Sequence, residues 1–455
     1  MQAWLPDLIY ADGRFQSNLA VVCDSEGKID RLVAGDEIQN AIRLKNRALL
    51  PGMVNAHSHA FQRVIRGTTE RRSQNTDDNF WTWREQMYDA ANRLEVEDIY
   101  AVSRMAFLEM ALTGITAVGE FHYIHHARDG SAYSDPNLLS REVIRAARDV
   151  GIRIALLRVA YARAGFQTDP NPQQIRFIEH SPDTYLKHLE QLIAVPELKD
   201  SMAWVGVAPH SVRAVPFDYL KHIVAFANER ALQVHMHVSE QAAEMMACLE
   251  EYGRSPIALL DTEGLLSPRF TAVHAIRVAF EDFGTMVRTG VLVCACPTTE
   301  RNLGDGILPV YGYFKDGVPV ALGTDSQIQI DLLEDARELE YHLRLYHKER
   351  NVLAPEDDTS SSALARRLFD CATINGAKSI GFSGGKLEPG APADFFTVDL
   401  DDPSIAGASQ EDLLANIVFS LSRTAVRDVV VAGKQIVENG RHQDQEAIIK
   451  SFSHK

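Results

Sequence analysis

Eight short apolar, β-branched runs, each followed by a longer amphipathic stretch, predict an α/β protein built as a (β/α)8 barrel of the TIM type. The two ends of the chain break this rhythm. They hold short alternating runs punctuated by turn pairs, which predicts a small β-domain assembled from both termini. The expected organisation is residues 1–50 plus 382–455 for the composite β-domain and residues 51–381 for the barrel. With 455 residues the chain exceeds one ordinary compact domain and suits a large barrel with an accessory part.

The N-terminal runs are "DLIYADGRF", "LAVVCDSEGKI" and "DRLVAGD", with hairpin turns expected at Asp12-Gly13 and Glu26-Gly27. The first barrel run, "LLPGMVNAHSH", turns at Pro51-Gly52. It is followed in order by "GITAVGEFHY", "IRIALLRVAYA", "AWVGVAPHS", "LQVHMHVSE", "FTAVHAI", "VLVCACP" and "PVALGTDS". Between them, "FDYLKHIVAFANERA" puts Leu220, Ile223, Val224 and Ala227 on one helical face. "DLLEDARELEYHLRLYHKER" does the same with Leu332, Leu333, Ala336, Leu339 and Leu343. The barrel segment exceeds the ~250 residues such folds need, and the surplus falls after His59, Tyr123 and Ala162, where polar stretches read as long βα loops. The C-terminal style matches the N-terminal one, with a hairpin at Ala432-Gly433, and "RHQDQEAIIKSFSHK" reads as a docked helix or a frayed tail.

Composition excludes several function classes. A formal net charge of −16 opposes a nucleic acid or anionic membrane as main partner, yet leaves room for a small anionic substrate held by local arginines. No signal peptide is expected from "MQAWLPDLIYADGRF", and no run of ~18 apolar residues suggests a membrane span. The five cysteines, Cys23, Cys248, Cys294, Cys296 and Cys371, fit no disulfide framework, which points to a reducing cytoplasm. The Cys-x-Cys of "VLVCACP" reads as two small thiols in a buried strand rather than a metal motif.

Polar residues collect late in the predicted strands, where barrel active sites are assembled. His57 and His59 are one residue apart, so strand parity turns both imidazoles the same way. Later runs supply His210, then His235, His237 and Glu240, then His274 and Asp325. His57, His59, His237 and Asp325 suit one divalent ion, zinc first among the candidates, with room for a water. Glu240 and His274 would then carry protons, with Asp325 able to share that task. His235 has the parity of His237 but lies deeper in its strand.

"PGMVNAHSHAFQR", "HVSE", "VHA" and "GTDS" resemble the amidohydrolase superfamily over essentially the whole chain. That resemblance implies His57, His59, His237 and Asp325 as ligands of one divalent metal ion, with Glu240, His274 and Asp325 as catalytic groups. His210 stands where two-metal members carry a bridging modified lysine, which implies the one-metal, deaminase-like branch. Within it, "FWTWREQMY", "AVGEFHYIHH", "PHSVRAV" and "NLGDGILP" resemble the formimidoylglutamate deiminases. This implies hydrolysis of N-formimino-L-glutamate to N-formyl-L-glutamate and ammonia in histidine breakdown, with Gln62, Arg84, Tyr123, His210 and Arg213 around the substrate. Arg84 and Arg213 are also the natural partners for two substrate carboxylates, because a guanidinium fork pairs with a carboxylate in bidentate fashion. Gln327 departs from the family pattern, which has His there. The competing readings are a deaminase or chlorohydrolase of a purine, pterin or triazine ring, an enzyme acting on N-guanidino-L-glutamate, and a non-catalytic barrel scaffold. Homodimer formation is left open.

Overall fold

A computed structural model describes residues 2–72 and 78–453. The barrel strands are β1 (Met53–Ser58), β2 (Ile115–His122), β3 (Arg153–Ala160), β4 (Ala203–Pro209), β5 (Val234–Val238), β6 (Phe270–His274), β7 (Leu292–Ala295) and β8 (Val320–Leu322). They pair in sequence order and all in parallel. Every residue of β1, β2 and β3 is buried, as a sheet covered on both faces requires.

The seam between β1 and β8 closes through two backbone hydrogen bonds beyond the end of β8. Asp325 N–H donates to the His57 carbonyl and His59 N–H donates to the Asp325 carbonyl, each at 3.0 Å. Gly323 makes this approach possible. A Cβ there would lie 2.7 Å from the His57 Cβ and 2.9 Å from its carbonyl oxygen, so any side chain would push the seam apart.

The terminal runs form a separate mixed sheet. Its central strand, Ile42–Pro51, runs parallel to Gln2–Ala11 on one side and antiparallel to Phe395–Asp399 on the other, so it joins the two ends of the chain. Alternation divides the sheet's faces. Leu49, Phe395 and Val430 enter a small core with Trp4, whose ring meets Phe395 edge-on at 5.7 Å. Leu50, Phe396 and Val429 face the main core. The hairpins at Asp12-Gly13, Glu26-Gly27 and Ala432-Gly433 are all present. A buried ion pair ties sheet to barrel: Arg153 at the start of β3 donates to Asp394 through Nε at 2.7 Å and Nη2 at 3.0 Å.

One region differs from a plain loop reading, and another takes one of the two forms expected of it. The polar stretch after His59 contains a helix, α1 (Phe80–Arg93), ahead of the expected α2 (Val96–Leu112). Asn79 caps α1 with a capping box, and Phe80, Met87, Tyr88 and Ala91 make a buried stripe that its many polar neighbours hide. The C-terminal segment is the docked helix Gln445–Phe452, with Ile448 buried and the Arg63 guanidinium over the Phe452 ring at 5.0 Å. Among the described residues, no helix is long and apolar enough to cross a membrane. All five cysteines are unpaired and buried.

Candidate active site

The ends of β1, β5 and β8 bring His57, His59, His237 and Asp325 together, with all four donor atoms within 4.8 Å of one another. His57 Nε2 lies 3.2 Å from His59 Nε2 and 3.2 Å from His237 Nε2. Asp325 Oδ1 lies 3.2 Å from His59 Nε2 and 3.5 Å from His57 Nε2.

The tautomers follow from the outer hydrogen bonds. His59 Nδ1 donates to the Phe121 carbonyl at 2.9 Å, and His237 Nδ1 donates to the His210 carbonyl at 3.1 Å. Their Nε2 lone pairs therefore point inward, and burial pushes His57 down to about 3 and His237 well below its ordinary range. Inward lone pairs and a carboxylate oxygen repel one another unless a cation sits among them. Donors about 2.0–2.1 Å from a tetrahedral zinc ion stand about 3.3 Å apart, and the four separations given above, 3.2 to 3.5 Å, lie close to that. The donor set thus fits a divalent ion in both chemistry and size.

Glu120 on β2 braces the first two histidines. It accepts from the Ser58 hydroxyl at 2.6 Å and from Ala60 N–H at 2.7 Å, and burial lifts its carboxyl to about 7. Gln327 braces Asp325 rather than facing the cavity. It is fully buried, and Nε2 donates to the Ser58 hydroxyl at 2.8 Å and the Asp325 carbonyl at 2.9 Å.

Beside the donor set stands a second group. His274 Nε2 lies 3.9 Å from both Glu240 Oε1 and Asp325 Oδ2, while Nδ1 faces Glu300 at 3.2 Å. Burial opposes charge on His274, but Glu240, Asp325 and Glu300 outweigh it and hold its pKa well above the ordinary value. Burial raises Glu240, which His274 and Arg213 partly offset. Cys296 joins His274 and Glu300 in a second compact donor group, and its backbone N–H donates to Glu300 at 2.9 Å. Several of these residues lie just past their strands, and Ser239, His274, Ala275, Asp325 and Gln327 take positive φ. The strand runs thus end in strained turns that re-aim side chains into the mouth.

These groups form one end of a cavity at the mouth of the barrel. Gln62, Arg84, Tyr123, His210 and Arg213 all line it. Gln62 donates to the Tyr123 hydroxyl at 2.9 Å, and its own Oε1 has no partner. Arg84 and Arg213 each have Nε and Nη1 buried without a partner. Aromatic faces position them instead of carboxylates: Arg84 lies 4.5 Å from the Trp81 ring and Arg213 5.5 Å from the same ring. Arg213 is only 5% exposed. His235 is apart from this assembly; its Nε2 donates to the Ser379 carbonyl at 2.9 Å, deeper in the barrel. Glu120, Glu300, Tyr88, Tyr161 and Gln174 are participants that strand-end reasoning does not reach. Glu300 has the one legible signal, since it follows the Cys-x-Cys run at the mouth end of β7.

The amidohydrolase family model matches residues 48–436, and the chain belongs to that family of metal-dependent hydrolases. It is 39% identical over 406 residues to the formimidoylglutamate deiminase of Pseudomonas aeruginosa, covering 89% of this chain and 88% of that one. It is 26% identical over 443 residues to the 5-methylthioadenosine/S-adenosylhomocysteine deaminase of Pyrococcus abyssi, covering 93% of each. The crystal structure of an amidohydrolase from Brucella melitensis superposes with a TM-score of 0.89 at 32% identity, covering 100% of this chain and 98% of that one. The class is therefore a barrel hydrolase of C–N bonds.

Proposed function

We propose that the chain hydrolyses N-formimino-L-glutamate to N-formyl-L-glutamate and ammonia, as a step of histidine breakdown in the cytoplasm. One observation carries the substrate: two guanidinium groups with buried, unpartnered N–H donors face the same cavity as the histidine–aspartate donor set. In a chain of net charge −16, buried arginines with N–H donors that no carboxylate accepts mark a place for substrate carboxylates. The 39% identity to a formimidoylglutamate deiminase supports the same reading.

His57, His59, His237 and Asp325 would hold the divalent ion, zinc first and iron or manganese as alternatives. When bound, such an ion supplies a water of lowered pKa as nucleophile. Asp325 turns Oδ1 to the histidines and Oδ2 to His274, so Oδ2 can take a proton from the attacking water. Protonated His274 faces the oxygen as charge develops there. Glu240, raised by burial, carries a proton to the departing nitrogen. The unpartnered Gln62 Oε1 accepts an N–H of the formimino group, and Arg84 and Arg213 hold the two carboxylates at the far end. Water adds at the formimino carbon, the C–NH2 bond breaks, and ammonia leaves with the proton brought by Glu240.

A second reading is a ring deaminase or chlorohydrolase. Phe80, Trp83 and Tyr88 on the cavity wall favour it, and so does the Pyrococcus abyssi relative. Ammonia release from N-formimino-L-glutamate by zinc-loaded protein, with N-formyl-L-glutamate as co-product, supports the first reading. Absence of release from metal-replete protein, with turnover of guanine, cytosine or S-adenosylhomocysteine, would replace it with the second.

A further inference from the structure

Gln174 ends the short turn Pro172–Gln174 in the connection that follows β3, and its side chain is buried against the cavity wall. The Asn171 backbone N–H can only donate, and it donates to Gln174 Oε1 at 2.9 Å. That contact assigns the amide oxygen, and with it the nitrogen. Gln174 Nε2 then directs its two hydrogens to the Tyr88 hydroxyl at 2.9 Å and the Tyr161 hydroxyl at 3.0 Å. The two phenol oxygens are 3.2 Å apart.

Hydrogen counting has one outcome. Each phenol oxygen already accepts from Gln174, so each hydroxyl hydrogen must go elsewhere. One goes to the neighbouring phenol. The other has no acceptor among the described residues, and both rings line the cavity beside Arg84 and Arg213. Tyr88 lies 5.4 Å from the Arg84 guanidinium, ring centroid to Cζ. Tyr161 packs against His210 at 4.6 Å.

We propose that Gln174 is a positioning residue that turns Tyr88 and Tyr161 into a single directed hydrogen-bond donor, and that this phenol pair selects substrates with a carboxylate at the arginine end of the cavity. The inference rests on the anionic-substrate reading above. A neutral ring offers no strong acceptor there and gains little from the arrangement. A carboxylate there satisfies the phenol and a neighbouring guanidinium fork together.

The test uses the full-length, metal-loaded protein and calorimetric binding of N-formyl-L-glutamate. Gln174→Glu keeps the shape but brings no hydrogens, so it accepts from both phenols and leaves neither for the ligand. Tyr88→Phe/Tyr161→Phe removes both hydroxyls and keeps the rings. Each variant should raise Kd about tenfold, the loss of one hydrogen bond to a charged group. In turnover, KM should rise while kcat stays within about threefold. The loss should vanish for whichever of 4-formamidobutanoate and 2-formamidobutanoate lacks the recognised carboxylate. Unchanged Kd in the double phenylalanine variant, or an equal loss with both monocarboxylates, overturns the inference. Should Gln174→Glu fold poorly, judged by thermal unfolding, the double variant decides alone. Wild-type protein that binds no N-formyl-L-glutamate overturns the substrate reading itself.

Discussion

Arg213→Met should damage activity while sparing, or raising, stability. Arg213 is buried, its Nε and Nη1 make no hydrogen bond, and its guanidinium packs against the Phe80 and Trp81 rings at 6.0 Å and 5.5 Å, with Glu244 and Glu240 as its nearby counter-charges. Two hydrogen bonds to a substrate carboxylate, at roughly 1.5–3 kcal/mol each, are lost in the variant. That lowers kcat/KM by roughly a hundred- to ten-thousandfold. Folding responds with the opposite sign. Unsatisfied buried donors cost about 1–3 kcal/mol, and the ring contacts return about 0.5–1 kcal/mol. Met fills the space of the arginine stem, so urea unfolding should show no loss and up to about 1 kcal/mol of gain. Glu244, which faces Arg213 and is lifted to about 7 chiefly by burial, can take a proton when its counter-charge goes. The assay is steady-state ammonia release from N-formimino-L-glutamate at fixed metal content. A kcat/KM within about threefold of wild type, with metal retained, would refute the assignment of Arg213 to the substrate.

Glu240→Gln should lower kcat by at least about a hundredfold, the usual worth of a general acid–base group, while metal content by elemental analysis stays at wild-type level. His59→Ala should lose metal as well as activity, and chelation followed by zinc should restore the wild type but not this variant. Asp394→Ala should cost about 3–5 kcal/mol in urea unfolding, because it leaves Arg153 charged and unpaired in the interior. For pH, burial would raise the Glu179 carboxyl, but Arg158 and His188 outweigh it and hold the group well below the ordinary glutamate range. The unfolded chain therefore takes up this proton first, so the pair's contribution is complete above about pH 4.5 and is lost as pH falls below it, at up to about 1.4 kcal/mol per pH unit. Thermal unfolding between pH 3 and pH 6 should show this slope, and Glu179→Gln should flatten it.

The parts of the molecule legible in sequence are those that local periodicity encodes. Continuous apolar runs such as "IRIALLRVA" marked barrel strands because both sheet faces are covered. Parity carried His57 and His59 to the same side without any knowledge of their neighbours. The illegible parts depend on pairs distant in the chain. Glu120 holds Ser58 and Ala60 only because β2 lies beside β1. Gln174 meets Tyr88 across 86 residues. Helix α1 was hidden because most of its surface is polar and only a narrow stripe is buried. Gln327 looks like a lost functional group in a linear comparison, whereas its amide supports the Asp325 turn.

The seam described above also orders the birth of the enzyme. His57 and Asp325 stand on opposite sides of the one join in the barrel that no intervening strand bridges, and Gly323 keeps that join tight. A chain still emerging from the ribosome can pair β1 through β7 and yet hold an incomplete donor set, because the aspartate arrives last. Even then Ile42–Pro51, which leads into β1, waits for Phe395–Asp399 to dock beside it. The donor set is therefore complete only once Asp325 has joined β1, and a chain that ends before residue 325 lacks one of its four donors.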